Sequence, residues 1–192
     1  MYKNYIKRII DIILSLGLII ILLPIMIIIF ILIWIKIGFP IFLQKRPGLD
    51  SKIFTLYKFK TLYDAVDSLS EKKRQNITGN FLRKTGLDEL PQLFNVLHNN
   101  MSLIGPRPLL IEYLDKYSEY EKQRHQVKPG ITGLAQVVDN LSGTKHWKKS
   151  MKLDIFYISH VSFLLDIKIL WRTVMLIIFK KKQYQDFKKF YE

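Results

Sequence analysis

The sequence predicts an α+β protein that is mainly helical, in which a membrane-inserted segment at residues 1–37 precedes a globular domain at residues 38–192. Three observations predict this class. Residues 12–35 contain no charged side chain, two strand-like segments joined by a turn follow Pro40, and most later segments have apolar residues at helical spacing. We therefore expect a small β-hairpin among helices, including amphipathic helices that lie at the membrane surface.

Composition limits the function before any motif is considered. The 192 residues carry a formal net charge of +14, which implies an anionic partner: nucleic acid, acidic lipid headgroups or a phosphorylated substrate. The chain has no cysteine, so disulfides, thiolate metal sites and cysteine nucleophiles are excluded. Function must rest on carboxylates, basic groups and amides.

The N-terminal apolar segment is long enough to cross a membrane. A continuous helix over residues 12–35 would reach about 36 Å, against a hydrocarbon thickness of about 30 Å. Pro24 lies at its middle and removes a backbone hydrogen bond. Two arrangements are open: an ordinary kinked span, or a re-entrant hairpin of two half-helices that enters and leaves by one face. Asp11, one turn past Lys7 and Arg8, is expected to pair with one of them.

The predicted β-hairpin follows. Residues 41–46 and 53–61 are strand-like, and the turn-forming residues 47–51 join them. Lys58 and Lys60 are two residues apart and project from one face. Solvated lysines are the ordinary explanation of such a face, while Lys60 is also a candidate phosphate ligand.

Residues 64–80 are polar, lack strong periodicity and predict a loop or frayed helix. A helix is predicted beyond them, because apolar residues recur at helical spacing at Leu90, Leu93, Phe94 and Leu97. Pro91 fits only among the first positions of a helix, where its missing N–H has no partner. The helix is therefore expected to begin close to Asp88, with Arg83 near its start.

Two adjacent carboxylates, Asp88 and Glu89, would lie in the first turn of this helix, where the helix end favours their ionised forms. Gln92 and Asn95 would share a polar face with Asp88. An ionised Asp88 could be an N-cap, a metal ligand or a nucleophile. Capping is the commonest function of such a residue.

A further candidate is Arg107, which lies between Pro106 and Pro108. The prolines restrict the backbone and lower the entropic cost of holding one guanidinium in place. Its planar fork matches two phosphate oxygens at once. The competing interpretation is a plain surface turn.

Residues 109–125 predict a charged amphipathic helix, and residues 128–133 a tight turn into a strand at 134–138. The glycines of this turn would let the backbone approach a ligand closely, although most such glycines only make turns. Lys128 in the turn is a candidate phosphate ligand. A lone histidine such as His125 is more often structural than a metal ligand.

The C-terminal segment predicts a basic amphipathic helix. Its apolar stripe is Ile167, Leu170, Trp171, Val174 and Ile178, and lysines at 180–182 close the segment. Tryptophan and flanking cations favour a helix that lies in the headgroup plane. Core packing is the rival interpretation of the stripe.

Seven pieces of the sequence resemble the small monotopic bacterial phosphoglycosyl transferases, the catalytic core of the bacterial sugar transferase family. They occur in the family's order over nearly the whole chain, and the ordered set is specific although no single piece is decisive. The pieces are KRIID (7–11), Pro24 in the apolar run, QKRPG (44–48), YKFKT (57–61), LDELPQL (87–93), GPRP (105–108) and KPGITG (128–133).

The resemblance implies an enzyme that moves a sugar 1-phosphate from a UDP-sugar to a polyprenyl phosphate, usually undecaprenyl phosphate, and releases UMP. Asp88 would be the nucleophile and would form a covalent phosphosugar intermediate, with Asp88 and Glu89 as the ligands of Mg²⁺. Arg107 and Arg83 would neutralise the diphosphate. The membrane segment would turn back at Pro24, leaving the catalytic domain on the cytoplasmic face of the bacterial inner or cell membrane.

The resemblance also suggests a candidate donor, and this sequence differs from the family pattern at three positions. Closely similar members use acetamido sugars, so UDP-diacetylbacillosamine is one candidate donor for the first membrane step of surface glycan or glycoprotein assembly. Leu23 stands where many members carry Ser, Leu134 where Trp is common, and Lys128 where Arg is usual. None of these removes a group that the chemistry needs.

Two other interpretations stay open. A non-enzymatic, membrane-tethered basic module would bind acidic lipid or nucleic acid, lose affinity steeply with salt and ignore UDP-sugars. The sequence contains no nucleic-acid-binding motif, so we expect membrane lipids and no nucleic acid as partners. The nearer rival is a transferase that forms a ternary complex and uses Asp88 and Glu89 only as metal ligands.

Overall fold

The computed structural model describes residues 2–64, 75–142 and 146–179. In these ranges the protein is mainly helical with two small sheets, which confirms the predicted class. The helices are α1 (Lys7–Ile37), α2 (Ile77–Thr85), α3 (Gln92–Leu97), α4 (Glu119–Lys122), α5 (Leu134–Ser142), α6 (Trp147–Ser159) and α7 (Phe163–Phe179). The strands are β1 (Ile41–Pro47), β2 (Ile53–Phe59), β3 (Ser102–Ile104) and β4 (Gly130–Thr132).

Helix α1 is one continuous helix of 31 residues with Pro24 inside it. In the described part of the chain it is the one helix long and apolar enough to cross a membrane. The expected division into two half-helices at Pro24 is not seen. Ile19 and Met26, on either side of the proline, are both buried. Their packing holds the two halves in one helix although the proline removes a hydrogen bond.

The first turns of α1 are held by the globular domain. Lys7 Nζ pairs with Asp166 Oδ2 at 2.7 Å, and Asp11 Oδ1 accepts a hydrogen bond from the Leu103 N–H at 3.1 Å. The expected ion pair of Asp11 with Lys7 or Arg8 is wrong, because each side chain reaches a partner in the domain. Arg8 donates to the last carbonyls of α3 at 2.6 and 3.0 Å, where a cation complements the helix end.

The last turns of α1 are held by the same domain. A buried cluster there joins α1 to the hairpin and to α2; its members are Met26, Ile29, Ile33, Ile37, Phe59 and Leu82. The main core lies between α3, β3, α5, α6 and α7 and takes Ile19 from α1. Helix α1 therefore lies along the domain, and its remaining faces expose isoleucine and leucine side chains.

The predicted hairpin is confirmed. Strands β1 and β2 pair antiparallel from Ile41 opposite Phe59 to Pro47 opposite Ile53. A short 3-10 turn, Leu49–Ser51, joins them. The antiparallel pairing places alternate residues of β2 on one face, which is how Leu56 and Lys58 come to face the same way.

The second sheet is small and parallel, with β3 beside β4. A Cβ added to Gly130 would lie 2.1 Å from the Gly105 nitrogen, and one added to Gly133 would lie 2.2 Å from the Gly105 oxygen. These glycines let two backbones meet, because any side chain there would collide with the facing chain. Backbone packing alone is therefore enough to require glycine at both positions.

Two expected elements differ from the structure. Residues 134–138 belong to α5 rather than to a strand, because the buried residues are Leu134, Ala135, Val137 and Val138, a spacing that fits one helix face. Residues 109–125 do not form one helix. They form the 3-10 segment Ile111–Lys116, α4 and the 3-10 segment Gln123–Gln126, since Ser118 and Glu121 make a capping box that starts a new helix.

The regions flanking the core also bear on the predictions. Of the expected loop or frayed helix at 64–80, residues 77–80 form the start of α2, with Asn76 as its N-cap. Residues 65–74 lie outside the described ranges. On α7, the predicted stripe is exposed except at Leu170, and Leu165 and Ile169 make the buried side. This favours the surface interpretation over core packing. Residues 180–182 lie outside the described ranges.

Candidate active site

The carboxylate pair lies in a turn rather than in a helix. Gly86, at φ 73°, ends α2 in the left-handed conformation, and a 3-10 turn, Leu87–Glu89, follows. Helix α3 begins only at Gln92, with Pro91 at its N-cap. The expected helix start close to Asp88 is therefore wrong by four residues, because the glycine and the short turn come between the two helices.

Glu89 is the centre of an ion-pair cluster. Its Oε1 accepts from Lys58 Nζ at 2.8 Å and from Arg107 Nη2 at 2.7 Å. Strand β2 supplies Lys58, and the loop after β3 supplies Arg107. Burial raises the pKa of Glu89, but the charges of Arg107 and Lys58 and their hydrogen bonds outweigh it, so the pKa lies below its ordinary value. Glu89 is therefore ionised at neutral pH.

Asp88 has a different environment. Burial, and then the charge of Glu89, raises its pKa above the ordinary value, although Lys58 and Arg107 act in the opposite direction. The expectation that a helix end would favour its ionised form is not met, because α3 is only six residues long and starts four residues later. Asp88 is therefore more easily protonated than Glu89.

A cleft opens beside this pair. Three cations face one carboxylate in it, so the cleft carries a net positive charge and suits an anionic ligand. Its lining residues are Arg46, Leu56, Lys58, Glu89, Gln92, Arg107, Pro108, Gly130 and Ile131.

Arg46 is a cleft residue that belongs to the QKRPG piece at 44–48 but was not predicted as a ligand. Its Nη2 donates to Gln44 Oε1 at 2.6 Å and its Nη1 to the Pro108 carbonyl at 3.3 Å. Burial, and then the charge of Arg107, lowers its pKa. The guanidinium groups of Arg46 and Arg107 thus lie near each other in the cleft. The hairpin register could have indicated Arg46, since β1 ends where the hairpin meets the loop that carries Arg107.

Three predicted phosphate ligands do not line the cleft. Arg83 lies in the last turn of α2 and donates from Nε to Thr61 Oγ1 at 2.8 Å. Lys60 pairs with Asp64 at 2.5 Å. Lys58, two residues before Lys60 on the same face, is the lysine that reaches Glu89.

Lys128 is the third of these residues, and it lies near the start of α1. It donates to Asn99 Oδ1. Burial, and then the charge of Arg8, lowers its pKa. The structure therefore brings Asp88, Glu89 and Arg107 together and leaves Lys128 at a second basic position. Its phosphate role stays a prediction.

The residues available for a metal ion are few. In residues 2–64, 75–142 and 146–179 no group of three or more His, Asp or Glu side chains could hold one. His125 is buried, and its Nδ1 lies 3.2 Å from the Gly48 carbonyl, so it holds the hairpin turn. Asp88 and Glu89 offer two adjacent carboxylates. Magnesium is commonly bound by one or two carboxylates together with substrate phosphates, so this pair fits it.

Arg124 holds the loop that carries Arg107. Arg124 is buried and donates to Tyr117 Oη at 2.8 Å, to Asp154 Oδ2 at 2.8 Å and to the Arg107 carbonyl at 2.7 Å. Burial raises the pKa of Asp154 to about 6, with Arg124 acting in the opposite direction. The backbone of Arg107 is therefore fixed while its side chain is left to face the cleft.

The sequence matches known proteins over almost its whole length. The family model described as bacterial sugar transferase matches residues 2–180. A relative named uncharacterized sugar transferase EpsL, from Bacillus subtilis, is 44% identical over 178 residues, which cover 90% of this chain and 87% of that protein.

Other relatives are named for a reaction. A Klebsiella pneumoniae UDP-glucose:undecaprenyl-phosphate glucose-1-phosphate transferase is 37% identical over 93% of this chain and 41% of its own length. An Aeromonas hydrophila UDP-N-acetylgalactosamine-undecaprenyl-phosphate N-acetylgalactosaminephosphotransferase is 34% identical over 91% of this chain and 44% of its own length. The chain thus spans less than half the length of these two relatives.

Proposed function

Because the chain belongs to the bacterial sugar transferase family, we propose that it transfers a sugar 1-phosphate from a UDP-sugar to undecaprenyl phosphate and releases UMP. The observation that carries this proposal is the cleft in which Lys58, Arg107 and Arg46 lie around Glu89, the neighbour of Asp88. A diphosphate needs its charge neutralised before a carboxylate can attack it. Relatives named as transferases of this kind support the reaction class.

We further propose a two-step reaction through Asp88. An ionised Asp88 oxygen forms a bond to the sugar-bearing phosphorus, the bond from that phosphorus to the UMP oxygen breaks, and the electron pair leaves with UMP. A phosphate oxygen of the lipid then attacks the same phosphorus and releases Asp88 as a carboxylate. Lys58 and Arg107 favour the ionised form of Asp88 against its burial.

Magnesium would be held by Asp88 and Glu89 together with substrate phosphate oxygens. When bound, it supplies charge neutralisation at the phosphoryl oxygens. Glu89 Oε1 holds Lys58 and Arg107 in place in the structure. Glu89 therefore also orients the two cations that face the donor.

The chain is membrane-associated by its apolar helix, and we propose that it is monotopic with its domain on the cytoplasmic face. Both ends of α1 contact one globular domain: Lys7 through Asp166, and Ile33 and Ile37 through the second buried cluster. These contacts hold α1 along the domain, which supports placing the helix and the domain at one face of the membrane. We propose that in the bilayer α1 bends at Pro24, where a backbone hydrogen bond is already missing.

The acceptor fits this arrangement. Exposed apolar faces of α1 and α7, the latter including Trp171 and Ile178, would lie against lipid. A cleft at headgroup level would meet the phosphate of undecaprenyl phosphate while its tail stays in the bilayer. One cleft would then serve the water-soluble donor and the lipid acceptor in turn.

The reaction is tested by UMP release from purified protein with magnesium, undecaprenyl phosphate and a panel of UDP-sugars. The panel contains UDP-glucose, UDP-N-acetylgalactosamine and UDP-diacetylbacillosamine. UMP should appear with one or more donors. No UMP from any donor would contradict the proposed function.

The intermediate is tested without the acceptor. With the accepted UDP-sugar alone, the protein should gain the mass of one sugar phosphate at the peptide that contains Asp88. A ternary-complex mechanism predicts no adduct and no UMP until undecaprenyl phosphate is added. Asp88→Asn, which cannot form the ester, is the control.

The topology is tested by thiol labelling. The chain has no cysteine, so an added N-terminal cysteine and Ser51→Cys, in the exposed hairpin turn, each give a single reactive group. Both should resist a membrane-impermeant reagent in intact cells and react after lysis. Labelling of the N-terminal cysteine from outside would mean that α1 crosses the membrane once.

A further inference from the structure

We propose that the side-chain amide of Gln92 donates a hydrogen bond to a phosphoryl oxygen of a nucleoside diphosphate bound in the cleft. This inference rests on the proposed function and extends it. Gln92 would be a donor-binding residue with no part in forming or breaking bonds.

The first observation is that Gln92 is buried without a partner. It is the first residue of α3, it is 3% exposed, and it lines the cleft. Within the part of the chain that the structure describes, its amide forms no hydrogen bond. The amide is not among the fully buried side-chain groups that lack a partner, so it meets the solvent of the cleft rather than a group of the protein. A ligand in the cleft would replace that solvent as its partner.

The second observation is a contrast within the same helix. Asn95, three residues later, is 0% exposed. Its Nδ2 donates to the Thr55 carbonyl at 2.7 Å, and its Oδ1 accepts from the Tyr57 N–H at 2.9 Å. Both amides are buried on the side of α3 that faces β2 and the cleft, but only the amide of Asn95 is used by the fold. This leaves the amide of Gln92 for the ligand.

The third observation concerns the groups around Gln92. Glu89 lies one turn earlier, with Lys58 and Arg107 on its Oε1. These cations mark where negative charge would lie. A phosphoryl group presents several acceptor oxygens in different directions, and an NH₂ group donates to one of them without adding charge. We therefore assign the contact to the diphosphate rather than to the sugar.

The test compares Gln92→Leu with Asn95→Leu in full-length protein. Calorimetric titration with UDP, which lacks the sugar, measures the diphosphate contact. Loss of a hydrogen bond to a charged acceptor should weaken UDP binding by roughly 10-fold to 100-fold in Gln92→Leu. Its melting temperature should stay close to that of the wild type, because the amide makes no hydrogen bond within the described part of the protein. Asn95→Leu should melt at a lower temperature, because the Thr55 and Tyr57 groups lose their partners.

Several outcomes would overturn the inference. Unchanged UDP affinity in Gln92→Leu would do so, and an effect on UDP-sugar but not on UDP would move the contact to the sugar. Weaker Mn²⁺ binding without nucleotide would make Gln92 a metal ligand. A lower melting temperature like that of Asn95→Leu would make its role structural. If Gln92→Leu binds UDP as tightly as the wild-type protein does, only this inference fails. If the wild-type protein neither binds UDP nor releases UMP, the proposed function fails as well.

Discussion

Arg107 and Arg124 are joined by one hydrogen bond, from the Arg124 guanidinium to the Arg107 carbonyl, and they occupy opposite environments. The Arg107 side chain is 47% exposed and contacts Glu89 at the mouth of the cleft. Arg124 is 3% exposed, and its guanidinium meets a phenol, a carboxylate and a carbonyl inside the domain. One arginine is open to a ligand, and the other is enclosed by the protein.

The difference shows how a buried arginine can fix the backbone of a second arginine whose side chain stays available to a ligand. A buried arginine stays in place because its partners are built into the fold, and its desolvation is offset only when those partners are present. A half-exposed arginine keeps donors for a ligand, and its ion pair adds little stability. Arg124 fixes the backbone that presents Arg107. We call Asp88, Glu89, Lys58 and Arg107 the open cluster, and Arg124, Tyr117 and Asp154 the closed cluster. We expect changes in the open cluster to affect activity and changes in the closed cluster to affect the fold.

The largest expected effect is that of Asp88→Asn in the open cluster. An amide cannot serve as the nucleophile, so the rate of UMP release should fall by more than about a thousandfold. Stability should not fall, because the substitution removes a buried carboxylate whose pKa is raised by burial and by Glu89. UMP release and thermal melting measure the two effects. Asp115→Asn, on an exposed surface, is the control, and normal turnover by Asp88→Asn would remove the covalent mechanism.

Arg124→Leu in the closed cluster should mainly lower stability, whereas Asp88→Asn should mainly lower activity. At pH 7 it leaves Asp154 buried and unpaired, which should cost about 3–5 kcal/mol of unfolding free energy. The double variant with Asp154→Leu should recover much of this loss, because no charge is then left unpaired. Thermal or denaturant unfolding measures both. A single variant as stable as the wild type would mean that the closed cluster does not support the fold.

A smaller effect is expected for Arg107→Lys. It keeps the charge but loses the planar fork, so the kcat/KM for the donor should fall by roughly 10-fold to 100-fold. Unfolding free energy should change by less than about 1 kcal/mol, because the pair is half-exposed. Lys122→Met, which breaks the exposed pair with Glu119, is the control and should leave both quantities unchanged. A large loss of stability in Arg107→Lys would erase the distinction between the two arginines.

A pH dependence of stability is expected from Asp154. Its pKa is about 6 in the folded protein against an ordinary value of 3.8, so the folded state holds the proton more tightly. Its contribution to stability is therefore complete below about pH 4 and is lost as the pH rises through about 6, with a slope of at most about 1.4 kcal/mol per pH unit. The difference in unfolding free energy between wild type and Asp154→Asn should show this slope. A difference that is constant from pH 4 to 7 would contradict the raised pKa.

Parts of the fold were predictable because local pattern alone determines them. The uncharged run gives α1, alternation and a turn give the hairpin, and helical spacing gives α7. The errors fall where two patterns overlap in a short segment. Residues 134–138 are apolar enough for a strand or a helix, and only their burial on α5 separates the two. Ser118 and Glu121 divide a segment whose charges suggested one long helix.

The site was predictable in part for the same reason. Asp88, Glu89 and Arg107 stand out by their neighbours in sequence, and the structure places Glu89 and Arg107 on one cleft with Asp88 next to Glu89. The choice of Lys60 over Lys58 could not be made from alternation, since both project from one face. Which lysine meets Glu89 depends on where α3 and its preceding turn cross β2.

The sequence by itself determined that this protein has an N-terminal apolar helix long enough to cross a membrane, an acidic pair before a helix and a strongly basic composition. It could do so because composition and local spacing act over a few residues. Only the tertiary structure decided which cations surround Glu89, which arginine is enclosed, and which amide of α3 is left without a partner. These depend on contacts between residues far apart in the chain. Such contacts are fixed by packing, which no local pattern records.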